Sequence, residues 1–462
     1  MSGSPILSLT TGAVCAVVKR TRDTAQSLGG FGVPVSSLLS RASWLAGANE
    51  AAHASDKTWI DLLTVQQRQA WRVAQGPNVT TTSAIHLIVT VSQDDQRRWW
   101  VSACVHPHAQ KIAPVEVDLN TVRPAVARLF RSWAARGRIT EGEQVRTLGE
   151  VLFRAAFPNP IDAVLKSLLA SSGQRVVVSL RFEENVDGDL VNLPWEHLYQ
   201  PDHGAESGMI LAADLRIGFM RTLRDTPLAS TPEPTREQFS VLVVAVSSDD
   251  QDPQVHGTIE DMEKLAEDLQ ALHVEVIKNP SAKQLMIELA TEYDVAHYVG
   301  YGRYDDLDLL AFGGGRRGRL EYVSVETLRR CLQPRPPQVV VLQPCEDEET
   351  GAVPADFAML GSPLVRLPLE AALIFQYPLP PDATAGFNDA FYRGLADGKP
   401  IDMAVQDGRV QLSLAGDQPR AYASPALFQR DPGELRLLRG TPSPNRFSRR
   451  SAQGTPRLPA FR

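Results

Sequence analysis

The chain has 462 residues, 43% of them hydrophobic and 22% charged, and a formal net charge of −7. That length suggests two or three domains with ordinary buried cores, and the negative balance argues against a whole-surface nucleic-acid binder. No apolar run reaches the roughly 18 residues of a membrane span, and the short apolar stretch 13–18 precedes Lys19, Arg20 and Arg22 instead of following them, unlike a secretory leader.

A cytoplasmic protein is therefore expected. Cys15, Cys104, Cys331 and Cys345 show no paired spacing, so neither a disulfide framework nor a zinc ribbon is indicated. Helix-like apolar spacing marks 36–45 and 58–73, with Trp59, Leu62, Leu63 and Trp71 on the second. Residues 84–91 and 97–106 are β-branched and aromatic runs joined by a polar pentapeptide, the pattern of a β-hairpin, and 114–117 adds a third strand. Val122, Val126, Leu129, Phe130 and Trp133 recur at helical steps over 121–136. These elements read as a small N-terminal α+β module, residues 1–145, of unassigned role. The polar, glycine-containing stretch 136–147 reads as a linker.

From about residue 150 the pattern changes. Short, nearly continuous apolar strands alternate with helical stretches, as in a sheet covered on both faces. Strands are predicted at 176–182, 239–246, 274–277, 295–299, 338–342 and 371–376, and helices at 259–272, 282–292, 325–331 and 383–395. Residues 311–312 and 320–323 read as a hairpin around the glycine- and arginine-rich 313–318, which lacks the Gly-Lys-Ser/Thr ending of a phosphate loop. The last stretch, 440–462, carries five arginines and no acid among Pro, Ser and Thr, and reads as a disordered basic tail.

Sites on such sheets form at the carboxyl ends of parallel strands. One predicted strand ends in His297-Tyr-Val-Gly300-Tyr301-Gly302, where the glycines would let the backbone turn and present one side chain. Another ends in Gln343-Pro-Cys345-Glu346, and a cysteine there would face it. Cys104, His106 and His108 alternate along a strand, but Pro107 interrupts them and no fourth ligand is evident, so no metal and no cofactor is expected.

These two endings, with three further segments in the same order, resemble the CHAT family of caspase-like cysteine peptidases. Asn192-Leu-Pro-Trp-Glu-His-Leu-Tyr199 is similar to the family's Leu-Pro-Trp-Glu segment, and residues 215–221 to the arginine-ended strand after it. His297–Gly302 aligns with a His-Phe-x-Gly-His-Gly pattern, 339–345 with an apolar strand ending in cysteine, and 387–404 with a C-terminal helix pair. The resemblance implies an α/β caspase-like domain over residues 149–438, with a mostly parallel central sheet flanked by helices. It makes Cys345 the nucleophile position and Tyr301 the position of the dyad histidine, with His297, Gly300, Gly302 and Glu346 around the cleft.

A phenol with a reference pKa of about 10 cannot take the thiol proton near neutrality or become the cation that stabilises a thiolate. His297, four strand residues away at about 13 Å, is out of reach. The acids Glu346, Asp347, Glu348 and Glu349 would disfavour a thiolate further. The expectation is a catalytically inactive pseudo-protease that binds protein partners, or a peptide-like segment in the old cleft, within a bacterial signalling or defence system. The competing expectation is an active endopeptidase using Cys345 with an unconventional or partner-supplied base. Nucleic acid is expected to bind, if at all, through the basic tail. Trp195 and Glu196 read as a core aromatic and a locally paired acid.

Overall fold

The structure is a computed structural model. Apart from a few positions within these ranges, it describes residues 84–119, 142–170, 175–201, 208–222, 236–247, 252–313, 320–345, 369–414, 421–430 and 434–438. Before them, strands Pro5–Leu7, Val14–Thr21 and Gly30–Pro34 pair antiparallel with one another. The helices expected at 36–45 and 58–73, nearly all of 121–136, the acidic run from Glu346 and the tail 440–462 lie outside the described residues.

One sheet organises the rest. Its strands in chain order are β1 (Ile85–Gln93), β2 (Trp99–His106), β3 (Gln110–Val117), β4 (Val176–Phe182), β5 (Ile217–Thr222), β6 (Phe239–Ala245), β7 (Leu272–Lys278) and β8 (Val295–Gly300). After β8 a small antiparallel sheet is inserted, formed by β9 (Gly302–Asp305), β10 (Leu307–Phe312) and β11 (Glu321–Ser324), which is the predicted hairpin with one more strand. The main sheet resumes with β12 (Val339–Pro344), β13 (Ala371–Phe375) and β14 (Pro425–Gln429).

Its eleven strands run in the order β7-β6-β8-β12-β13-β14-β5-β4-β1-β2-β3. Neighbours from β7 to β13 are parallel, as are those from β14 to β1, and the two blocks meet at an antiparallel β13–β14 seam. The fold is a mixed α/β sheet, mostly parallel and flanked by helices. Continuous runs such as Val-Val-Val-Leu in β12 are what burial on both faces demands.

Two boundaries differ from the sequence expectation. The hairpin and third strand assigned to a separate N-terminal module extend the main sheet, because β1 lies parallel to β4 from Ile85–Val176 to Val91–Phe182. The supposed linker turns helical at Gly142: α1 (Gly142–Ala156) buries Val145, Leu148, Leu152 and Phe153 along one face, a helical spacing that the polar residues between them mask.

Helix α2 (Asn159–Ala170) follows α1, and α3 (Pro253–Asp268) connects β6 to β7. Next come α4 (Ala282–Glu288), α5 (Val325–Leu332), α6 (Pro381–Ala396) and α7 (Ile401–Leu414). Over the first parallel block, α3 and α6 pack together on one face while α4 and α5 pack together on the other. Strand β14 was not foreseen, since Pro-Ala-Leu-Phe-Gln is only five residues long and opens on proline.

Candidate active site at the strand ends of β8 and β12

Strands β8 and β12 are in parallel register from Val295–Val339 to Gly300–Pro344, so one further step brings Tyr301 beside Cys345. The Cys345 amide donates to the Gly300 carbonyl at 2.9 Å and closes the last rung. Side chains alternate along a strand, which puts His297, Tyr301, Gln343 and Cys345 on the α3/α6 face. Tyr298 points the other way, into the apolar wall shared with Leu285, Leu328 and Val340.

Gly300 is required by crowding rather than by a turn. It lies within β8, and a Cβ on it would stand 2.7 Å from the Val246 carbonyl oxygen and 2.9 Å from the Tyr298 hydroxyl. That hydroxyl hydrogen-bonds the carbonyls of Tyr301 (2.9 Å) and Ala311 (2.8 Å), so it ties the strand end to the inserted sheet. Gly302 opens β9 opposite Leu310, and Glu346 lies outside the described residues.

His297 does not face Cys345. Its Nδ1 is 2.9 Å from the Tyr392 hydroxyl and its Nε2 is 3.0 Å from Gln343 Oε1. Gln343 Nε2 donates to Thr258 Oγ1 at 3.0 Å, and that hydroxyl donates to the Gln254 carbonyl at 2.9 Å. This order fixes the tautomer: Nε2 carries the proton and Nδ1 accepts from Tyr392. Burial pushes the imidazole down to about 4, against a weaker opposing effect of the Gln343 bond, so it is neutral at pH 7. The chain of four hydrogen bonds ties β8, β12, α3 and α6 together, and its members satisfy one another.

Tyr301 reaches toward α3. Its hydroxyl donates to Asp252, the N-cap of that helix, whose other oxygen accepts from the amides of Gln254 (2.9 Å) and Val255 (3.1 Å). Ser247, just past β6, also bonds the phenol oxygen. Burial, reinforced by the Asp252 bond, holds the phenol protonated well above its usual range. The Cys345 thiol is likewise pushed far up, first by burial and then by the Asp252 carboxylate. Both residues are buried, Cys345 at 1% exposure and Tyr301 at 9%.

Asp252 and Ser247 were missed in the sequence. Asp252 followed by Pro253 is an N-cap with proline at the first helical position, a helix start that could have been read there instead of at 259.

The Leu-Pro-Trp-Glu segment serves the framework. Trp195 is buried and donates its indole N–H to the Leu190 carbonyl at 3.0 Å. Glu196 pairs with Arg221, the arginine ending the other quoted segment. Gln376 donates to Glu196 at 2.9 Å, and Arg409 lies 3.9 Å away. The pairing joins distant segments, so "locally" was too narrow a reading for Glu196. Among the described residues no group of three His, Cys, Asp or Glu is placed to hold a metal ion, and no helix is long and apolar enough to cross a membrane.

A family model described as the CHAT domain matches residues 146–429, more than half of the chain. The chain belongs to the CHAT domain family. No curated protein sequence matches it. Among solved structures, this CHAT protein is similar to separase in the Saccharomyces cerevisiae separase–securin complex, at 10% identity and a TM-score of 0.45. The alignment covers 76% of this chain and 30% of that one, so the CHAT chain spans under a third of the separase. A second structure, named only as a protease, is 12% identical with a TM-score of 0.37, covering 68% of this chain and 76% of that one.

Proposed function

We propose that this CHAT protein is a catalytically inactive pseudo-protease, with Tyr301 in the place of the dyad histidine and Cys345 as a vestigial nucleophile. The observation that carries the reading is the direction of one hydrogen bond: the Tyr301 hydroxyl donates to the Asp252 carboxylate. A phenol committed as donor to a carboxylate is not a base for the neighbouring thiol. Amide cleavage by cysteine needs a thiolate and then an acid to expel the amine, help worth about 10²–10⁴-fold. The family position at 301 supplies neither.

Asp252 invites a second reading, in which Cys345 passes its proton to Tyr301 while Tyr301 passes its own to the carboxylate. That relay would trade a carboxylate for a thiolate, which is the weaker of the two at holding the negative charge. Burial of Cys345 works in the same unfavourable direction. The inactive reading is the stronger one. A partner-binding role in a bacterial signalling or defence complex, through the cleft at the β8 and β12 ends, then follows as the use left to a caspase-like fold without its chemistry.

The test is incubation of the native chain with proteome from its host, followed by mapping of new protein N-termini. No cuts dependent on Cys345 are expected. Cuts that vanish in Cys345→Ala would restore the enzyme.

A further inference from the structure

We propose that the Tyr301 side chain is a latch that shuts the strand-end cleft over Cys345 and keeps the thiol sealed until the latch is released. The proposal concerns the same site as the pseudo-protease reading, but it is a statement about access and not about chemistry.

Three observations carry it. The Tyr301 backbone is fixed independently of its ring, because its carbonyl accepts from the Tyr298 hydroxyl at 2.9 Å and the Ala311 amide at 3.0 Å. The ring is held at its far end, where the hydroxyl is shared by Asp252 and Ser247. Those two residues stand at the two ends of the connection between β6 and α3, so one hydroxyl bridges the start and the finish of that connection. Finally, Tyr301 lies next to Cys345 in the continued register and is the more exposed residue of the two, at 9% against 1%.

Losing the hydroxyl should free the ring without unfolding the chain, since Asp252 keeps its bonds to the Gln254 and Val255 amides through its other oxygen. A segment entering the cleft from a partner must displace the phenol from Asp252. Binding there and exposure of Cys345 are therefore coupled.

The experiment is timed iodoacetamide labelling of the native full chain, read by peptide mapping, for the wild type, Tyr301→Phe and Asp252→Asn. Cys331 is the internal reference. It is also buried, at 5% exposure, but it sits on α5 with its Sγ 3.3 Å from the Ala282 carbonyl, on the opposite face of the sheet. A hydrogen bond to a charged group accounts for about a tenfold to hundredfold change in an opening equilibrium. Cys345 should label faster by about that factor in Tyr301→Phe, and by at least as much in Asp252→Asn, which also removes the carboxylate that raises the thiol, while Cys331 stays at its wild-type rate in both.

Equal rates for Cys345 in wild type and variants would overturn the latch. Parallel acceleration of Cys331 would too, because that reports general loosening. A Tyr301→Phe chain that cannot be recovered folded would also count against it, since a latch closes a cleft and does not hold up a fold. Cysteine-dependent cleavage of the host proteome would sink the pseudo-protease reading and leave this one standing.

Discussion

On the β14–β5–β4 side of the seam, fully buried groups carry charge. Glu196 lies between Arg221 and Arg409, and Arg175 pairs with Asp402. Burial lowers Arg175 and Arg409 to about 10, still cationic at neutral pH. Arg409 is further held by the Pro425 carbonyl at 2.7 and 3.0 Å and the Phe219 carbonyl at 2.9 Å. On the β8–β12 side, the shifted groups of the candidate site and its buried neighbours all favour the neutral form. His297 is pushed down, while Tyr298, Tyr301, Tyr392 and Cys345 are pushed up, burial being the largest cause for each. A working cysteine dyad needs the reverse, with ionisation favoured at the reacting sulfur. Here the fully buried ions belong to the framework, while the thiol, phenol and imidazole of the site are held neutral beside the Asp252 carboxylate.

That contrast can be broken by experiment, most severely on the ionic side. Glu196→Ala leaves Arg221 and Arg409 without their acid and should cost about 3–5 kcal/mol, read as a lowered urea midpoint or loss of soluble protein. A shift within 1 kcal/mol of zero (about the worth of a surface pair) would mean that the cluster is solvated.

On the neutral side, His297 sets a pH dependence. Its folded pKa of about 4 lies below the unfolded value near 6.5, so the unfolded chain binds the extra proton between them. The stability that depends on a neutral His297 is complete above about pH 6.5 and drains away as pH falls toward 4. Relative to His297→Gln, the wild type should lose about 2–3 kcal/mol more between pH 7 and pH 4.5, measured by urea unfolding at both pH values. Equal losses would show that the imidazole protonates within the fold.

The smallest effect is steric. In Gly300→Ala the added methyl meets the Val246 carbonyl oxygen at 2.7 Å, a backbone atom that moves only with its strand. A loss of about 1–2 kcal/mol in the unfolding midpoint is expected. An unchanged midpoint would mean that the ends of β6 and β8 are looser than described.

Much of the architecture was legible because strands buried on both faces write themselves as unbroken apolar runs, as Phe239–Ala245 and Val339–Pro344 do. The continuation of the sheet through β1 was not, since pairing between β1 and β4 joins segments about 90 residues apart and leaves no local trace. In the candidate site, the order of motifs brought Tyr301 and Cys345 together and set His297 aside. The partners that decide their chemistry come from other elements. Asp252 and Thr258 lie on α3 and Tyr392 on α6, and nothing in their own neighbourhoods in sequence announces that they meet at β8.

The central claim is that Cys345 has no partner that ionises it, and the direct measurement is a thiolate titration. Ultraviolet absorbance of the native chain is followed against pH, and the same curve for Cys345→Ala is subtracted. The account predicts no thiolate signal from Cys345 until well above the ordinary thiol range near pH 8.5. A difference signal that titrates near or below neutrality would contradict it.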